Sequence, residues 1–405
     1  MAKKFQFSAW VYPTIKEITP DDVDSWAELG LTVPMSASMS GSDEDLVELK
    51  KYLDKAFENG IQLIANVGST SYWALGSMGE EKYEENFRRI YEQVKGHPGL
   101  YGFYCGDEPN SKDALENTIK ALKIQKKVAP ELNPWINLRG STMNDSREKL
   151  GGRTFTEWLK YFKDETGVDY YTWDEYSQMI NDGGFRGYLH SLKTHAEAAE
   201  AAGVDWWLTS LASGHWCFRV PTEYEFMLEI TTAAAAGAKG ISWFRLYDRA
   251  VGPECYGSPI DEFGYKTEQY WMLMRCQRRF MAQFGEIMPT LKRKSTYLIG
   301  FQYGSFPIFS NKCHDIIKEI RSFENGMLSF FEDAEGNEYC ALVNTERKQP
   351  ADYRFVYDST KASVTEYRLN GKVKMPFNGS SDPNSESMGL ILYPGQMMLF
   401  RIDRK

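Results

Sequence analysis

The first 290 or so residues alternate short, apolar, strand-like runs with amphipathic segments. That alternation limits the folds open to the chain more than any other feature. The runs are Phe5–Tyr12, Leu31–Ala37, Ile61–Val67, Leu100–Gly106, Pro134–Leu138, Val168–Trp173, Asp205–Leu211 and Gly240–Tyr247. Between the second and third, Leu46, Leu49, Leu53 and Phe57 recur at helical spacing. Ser42 and Asp45 supply an N-terminal capping pattern there, and Gly60 ends the helix. A further helix, Arg186–Gly203, runs straight into a strand, and Lys266–Phe284 reads as the last helix of the series. Strands separated by helices pair in parallel, and eight such units suit a closed (β/α)8 TIM barrel. An open doubly wound sheet is the alternative. It normally has fewer repeats and a Gly-rich phosphate turn, yet no GxGxxG follows the first run and no GxxxxGK-Ser/Thr occurs anywhere.

After Pro289 the texture changes. Short alternating runs at Thr296–Tyr303, Leu328–Glu332, Tyr339–Asn344, Tyr353–Tyr357, Ser363–Leu369, Gly389–Leu392 and Met397–Ile402 are separated by turn signals. The turns fall at Asp333–Gly336, Asn370-Gly371, Asn378-Gly379 and Pro394-Gly395. The expected organisation is therefore a barrel over residues 1–294 and a smaller all-β sandwich over 295–405.

A net charge of −9 argues against nucleic acid or an anionic membrane as partner. No window approaches the roughly 18 apolar residues that a membrane span requires. The six cysteines are scattered without a CxxC, so they read as reduced thiols, and neither a metal nor a cofactor is expected. The basic start leads directly into a strand-like run without an apolar leader. The expectation is a cytoplasmic protein, or a secreted one whose signal peptide has been removed. Oligomeric state is not legible.

In such a barrel, chemistry collects at the C-terminal ends of the strands. The fourth run leads from Pro98-Gly99 through aromatic residues to adjacent acids, Asp107 and Glu108, and stops at Pro109. Around that rim the pattern predicts Trp10 and Tyr12 after the first strand, Trp73 after the third, and Asn137 and Arg139 at the fifth. Trp173, Asp174, Glu175 and Tyr176 follow the sixth, His215 and Trp216 the seventh, and Arg245 and Asp248 the eighth. Carboxylates among aromatic rings are what glycoside cleavage requires. One acid protonates the leaving oxygen, and a second carboxylate attacks or activates water. The rings hold sugar faces, and Arg, Asn and His bind hydroxyls.

Tyr-Gly-Phe-Tyr-Cys-Gly-Asp-Glu-Pro resembles the strand-four signature of clan A glycoside hydrolases, whose Asn-Glu-Pro carries the acid/base glutamate. Ala236–Phe244 resembles the approach to strand eight in the same barrels, and a C-terminal β-sandwich is common among them. The resemblance implies that Glu108 is the general acid/base and that Asp107 takes the place of the neighbouring Asn. It also implies a nucleophilic Glu at the end of strand seven, but that run, Trp206 to His215, has no carboxylate. Glu175 is the first choice for the second acid, ahead of Asp174 and Asp248.

Three readings compete with a two-carboxylate hydrolase. One is a substrate-assisted hexosaminidase, in which Asp107 orients an acetamido group beside a Tyr such as Tyr176 or Tyr247. Another is a non-catalytic carbohydrate-binding barrel. A metal-dependent isomerase or aldolase ranks last, since the chain has five His and no Lys at the predicted strand ends.

Overall fold

The computed structural model describes residues 4–140, 147–181, 183–248, 254–301, 305–369, 371–374, 378–379 and 382–405. Asn370, in one expected turn, lies outside them. By contacts the chain divides into two compact units, one holding Gln6–Pro221 and Gly240–Met274, the other Thr222–Lys239 and Arg275–Lys405.

The first unit contains parallel strands β1 (Gln6–Ala9), β2 (Leu63–Ala65), β3 (Leu100–Asp107), β4 (Trp135–Arg139), β5 (Tyr170–Asp174) and β6 (Asp205–Leu211). The two-residue β7 (Gly214–His215) intervenes before β8 (Gly240–Phe244), and β9 (Cys255–Tyr256) pairs with β7. The parallel sheet has the order β1-β8-β6-β5-β4-β3-β2. Residues 32–39 close it into a barrel. Phe7 O accepts from Thr32 N and Val33 N, and Ala9 O accepts from Met35 N; on the other side Ser36 N donates to Ile64 O. This eighth stave makes bridges rather than a continuous strand. Pro34 has no N–H to give the ladder, although its carbonyl accepts Ile64 N.

Helices α1 (Asp22–Leu29), α2 (Asp43–Glu58), α3 (Tyr72–Met78), α4 (Glu80–Val94), α5 (Lys112–Val128), α6 (Phe155–Thr166) and α7 (Gly184–Ala202) alternate with these strands. Ser42 and Asp45 form the capping box of α2, whose Leu46, Leu49 and Leu53 are buried. Phe57, at the end of that stripe, is exposed. The alternation of side chains along a strand sorts the barrel into faces. Trp10, Tyr104, Trp135, Thr172 and Thr209 point inward, where their rings or hydroxyls meet. Trp173 and Trp206 point outward and pack on each other.

The second unit carries α8 (Glu223–Ala235), capped by a Thr222–Glu225 box, and the later turns of α9 (Glu268–Phe284). Its strands are β10 (Lys292–Ile299), β11 (Ile317–Arg321), β12 (Gly326–Glu332), β13 (Glu338–Asn344), β14 (Ala351–Asp358), β15 (Ala362–Arg368), β16 (Gly371–Lys374), β17 (Asn378–Gly379), β18 (Ser385–Leu392) and β19 (Met397–Arg404). They form antiparallel sheets of order β10-β12-β13-β19-β15-β16 and β11-β14-β18-β17. Leu328, Phe330, Leu342 and Phe400 from one sheet share a core with Ile317, Tyr353, Phe355 and Leu390 from the other, which makes a sandwich. Barrel and sandwich are both as expected. Asn378-Gly379 is strand β17 instead of the expected turn, pairing with Ser387 and Glu386 of β18. All six cysteines are free thiols. Among the described residues no helix is long and apolar enough to cross a membrane.

Candidate active site

Strand β3 ends in a distorted turn that presents its acids. Register slips between Tyr104 and Gly106 where β3 meets β4. Gly106 has φ +150°, and a Cβ there would sit 2.3 Å from the Tyr72 ring. Only glycine allows that close approach. It lets the Tyr72 hydroxyl donate to Asp107 O at 3.0 Å. Glu108 then takes φ +38°, with its N–H donating to Asn137 O at 2.9 Å.

The described non-glycine residues with positive φ are Tyr12, Glu108 and Trp216. All three were picked out as site residues from sequence, and each holds a conformation that costs of order 1–3 kcal/mol. Tyr12 and Trp216 are 44% and 70% exposed, so packing does not account for them.

Six polar groups meet at or just past the inward-facing strand ends. Asp107 Oδ1 accepts from Asn137 Nδ2 at 3.0 Å. Arg139 Nε lies 3.1 Å from Glu108 Oε2. The Asp174 carboxyl stands beside that of Glu108, and Tyr176 stands beside Asp174. Burial pushes Asp174 well above the carboxylate range, and the neighbouring Glu108 and Asp107 charges add to it. Burial likewise pushes Asp107 up to about 7, opposed by the Asn137 hydrogen bond. Asp107 and Asp174 therefore hold a proton more readily than exposed carboxyls do.

Aromatic rings line the mouth. Trp10 packs on Tyr104 and Phe244, with centroids 5.8 and 6.0 Å apart. Tyr12 and His215 meet Phe244 at 5.7 and 5.2 Å, and Trp73, 48% exposed, continues the row beside Tyr104. Trp10 Nε1 is buried and has no partner among the described groups. Arg245 is buried, donates from Nε to Tyr247 O at 2.7 Å, and lies over the Tyr12 ring. Burial lowers His215, whose Nδ1 is 3.1 Å from Cys255 Sγ.

Not every residue picked out from sequence joins this group. Trp173 is fully buried, stacked on His195 at 4.0 Å. It is a packing residue rather than a sugar platform, because it occupies the outward parity of β5. Glu175 shares that parity and accepts from Ser191 Oγ of α7 at 2.8 Å. Asp248 takes Ser258 N with both oxygens, in the loop beyond β8. Trp216 is beside His215. Sequence reasoning missed Thr172 and Thr209, whose hydroxyls reach Asn137 Oδ1 at 2.8 and 3.0 Å. Counting strand parity from Asp174 and Asn137 would have marked them. Among the described residues no group of three or more metal-ligating side chains converges.

No protein-family model matches this sequence, and no curated protein matches it. Solved structures do resemble it. A catalytic mutant of a GH42 β-galactosidase from G. stearothermophilus aligns with a TM-score of 0.64 at 9% identity, over 100% of this chain and 99% of that one. The fold is one that glycoside hydrolases share. A family 5 glycoside hydrolase from Bacteroides vulgatus aligns at 0.61 with 10% identity, covering 98% and 89%. A β-galactosidase from the psychrophilic Marinomonas ef1 aligns at 0.51 with 10% identity, covering 68% and 60%. The chain thus spans about 60% of that enzyme's length.

Proposed function

We propose that the chain is a glycoside hydrolase whose proton donor is the Glu108–Asp174 carboxyl pair. The observation that carries this reading is the buried Asp174 carboxyl beside Glu108, at the mouth of a barrel lined with aromatic rings. Burial, with the neighbouring acids adding to it, makes Asp174 hold its proton more readily than an exposed carboxyl does. Asp174, the buried member, holds the proton, and Glu108, nearer solvent, is the member that passes it to the substrate. The proton goes to the leaving glycosidic oxygen as the bond to the anomeric carbon breaks. Water supplies the hydroxyl to that carbon and returns a proton to the pair, so one water is consumed and the acid is restored.

Asp174 is the second carboxyl in this reading, since Glu175 is tied to Ser191 on the outer side. With Ala212, Ser213 and Gly214 rather than an acid after β6, the attacking group in this reading is water or the substrate itself. The acetamido-assisted variant belongs here, with Asp107 beside Glu108. The test is release of reducing sugar from a panel of oligosaccharides and aryl glycosides by the wild type and Glu108→Gln. Turnover that the variant loses supports the reading.

A non-catalytic sugar-binding barrel is the second reading. It is favoured by the end of β6, where Ala212, Ser213 and Gly214 stand in place of an acid. Calorimetric binding of a sugar without product across the same panel would select it.

A further inference from the structure

Asn137 holds both acids at the end of β3. Its carbonyl accepts Glu108 N–H at 2.9 Å, and its Nδ2 donates to Asp107 Oδ1 at 3.0 Å. Two buried threonines fix the direction of the amide. Thr172 Oγ1 of β5 and Thr209 Oγ1 of β6 lie 2.8 and 3.0 Å from Asn137 Oδ1. Turning the amide over would take from the Thr209 hydroxyl the acceptor it has here, inside the barrel where an unmade hydrogen bond costs about 1–3 kcal/mol. With an N–H aimed at Oδ1, a proton carried by Asp107 resides on Oδ2.

The groups facing Asp107 leave little to stabilise a charge on it. Glu108 stands beside it on β3, Asp174 comes from β5 and contacts Glu108, and Tyr176 follows β5. Tyr12 approaches from beyond β1 and Tyr72 from α3. Arg139 of β4 is the cation acting on Asp107, and it is paired to Glu108; Arg245 lies over Tyr12. Among the described residues, Arg139 is the guanidinium that faces Asp107 and Glu108 together.

We propose that Asp107 works as a neutral hydrogen-bond donor, offering a proton on Oδ2 to an oxygen of the bound substrate, with Asn137 the positioning residue that puts it there. This rests on the carbohydrate reading of the site and narrows it. The partner is an uncharged acceptor oxygen, such as a sugar hydroxyl or an amide carbonyl, and not a cationic group. Asn in place of Asp107 keeps an oxygen for Asn137 and an N–H where the Oδ2 proton stood. Ala keeps neither.

The experiment has two arms. Infrared difference spectra of the resting protein between about pH 5 and pH 9 should contain the carbonyl band of a protonated acid that is missing from Asp107→Asn. The Thr172→Val/Thr209→Val double variant should titrate that band at higher pH, because Asn137 no longer holds its N–H on Oδ1. With an aryl glycoside that the wild type hydrolyses, Asp107→Asn should lower kcat/KM less than about tenfold at pH 6 and carry activity further into the alkaline range. Asp107→Ala should cost about a hundredfold, the order expected for one lost donor. Equal losses in the Asn and Ala variants, or no Asp107 band titrating in that range, would overturn the proposal. If the wild type hydrolyses no glycoside, the hydrolase reading fails while the infrared arm still decides where the proton is.

Discussion

Arg139 Nε lies 3.1 Å from Glu108 Oε2, and the two side chains are 40% and 36% exposed. An ion pair this open contributes little to stability, roughly 0–1 kcal/mol. In the proposed function it orients the glutamate. Arg139→Met should therefore leave the thermal midpoint within about 2 °C of wild type while lowering turnover by about tenfold or more. Parallel unfolding scans and initial rates would check this. A large loss of stability with activity retained would assign Arg139 a structural role instead.

Asp107 makes stability depend on pH. Its acid is pushed up to about 7 in the folded chain, against about 3.9 when unfolded. The folded state thus holds the extra proton between these values, and stability falls as pH rises from about 4 to about 7. The full penalty, of order 3–4 kcal/mol at most, is present above pH 7 and absent below about 4. Asp107→Asn should be more stable than wild type at pH 8 and equal to it at pH 4, by urea midpoint.

His195 works in the opposite sense. Burial against Trp173 and Phe155 lowers it to about 3. The unfolded chain takes up its proton near 6.5, so this term makes stability fall as pH drops from about 6.5 toward 3. His195→Gln should flatten that acid limb. The Asp107→Asn and His195→Gln variants should show opposite slope changes between about pH 4 and 6.5, and slope changes of the same sign would refute the assignment.

Much of this was legible in the sequence. Eight strand-like runs gave the barrel because β-branched and aromatic clusters between capped helices have few alternatives. Asp107 and Glu108 stood out because Gly106 and Pro109 bracket them at a strand end. Side-chain direction was not legible at the ends of staves. Asp174 and Glu175 are adjacent, and one step of the pleat sends the first to Glu108 and the second to Ser191. The same step placed Trp173 among the outer helices. Strand β11 went unseen because Lys318, Glu319 and Arg321 mask its two apolar anchors, Ile317 and Ile320.

Trp216 trades stability for an exposed ring. At φ +49° and 70% exposure it pays a backbone cost without burying its side chain. Trp216→Asn, a residue that tolerates this conformation, should raise stability by about 0.5–1 kcal/mol and weaken sugar binding by about tenfold. Denaturation midpoints together with calorimetric titration of the sugar that binds wild type would test both halves.

The central claim is that the Glu108–Asp174 pair delivers a proton to a glycosidic oxygen. The most direct measurement is proton NMR of oligosaccharides incubated with wild type, Glu108→Gln and Asp174→Asn. The account predicts new reducing-end signals with wild type, a loss of about a thousandfold or more in Glu108→Gln, and an altered pH profile in Asp174→Asn. Undiminished cleavage by Glu108→Gln, or binding without cleavage by the wild type, would contradict it.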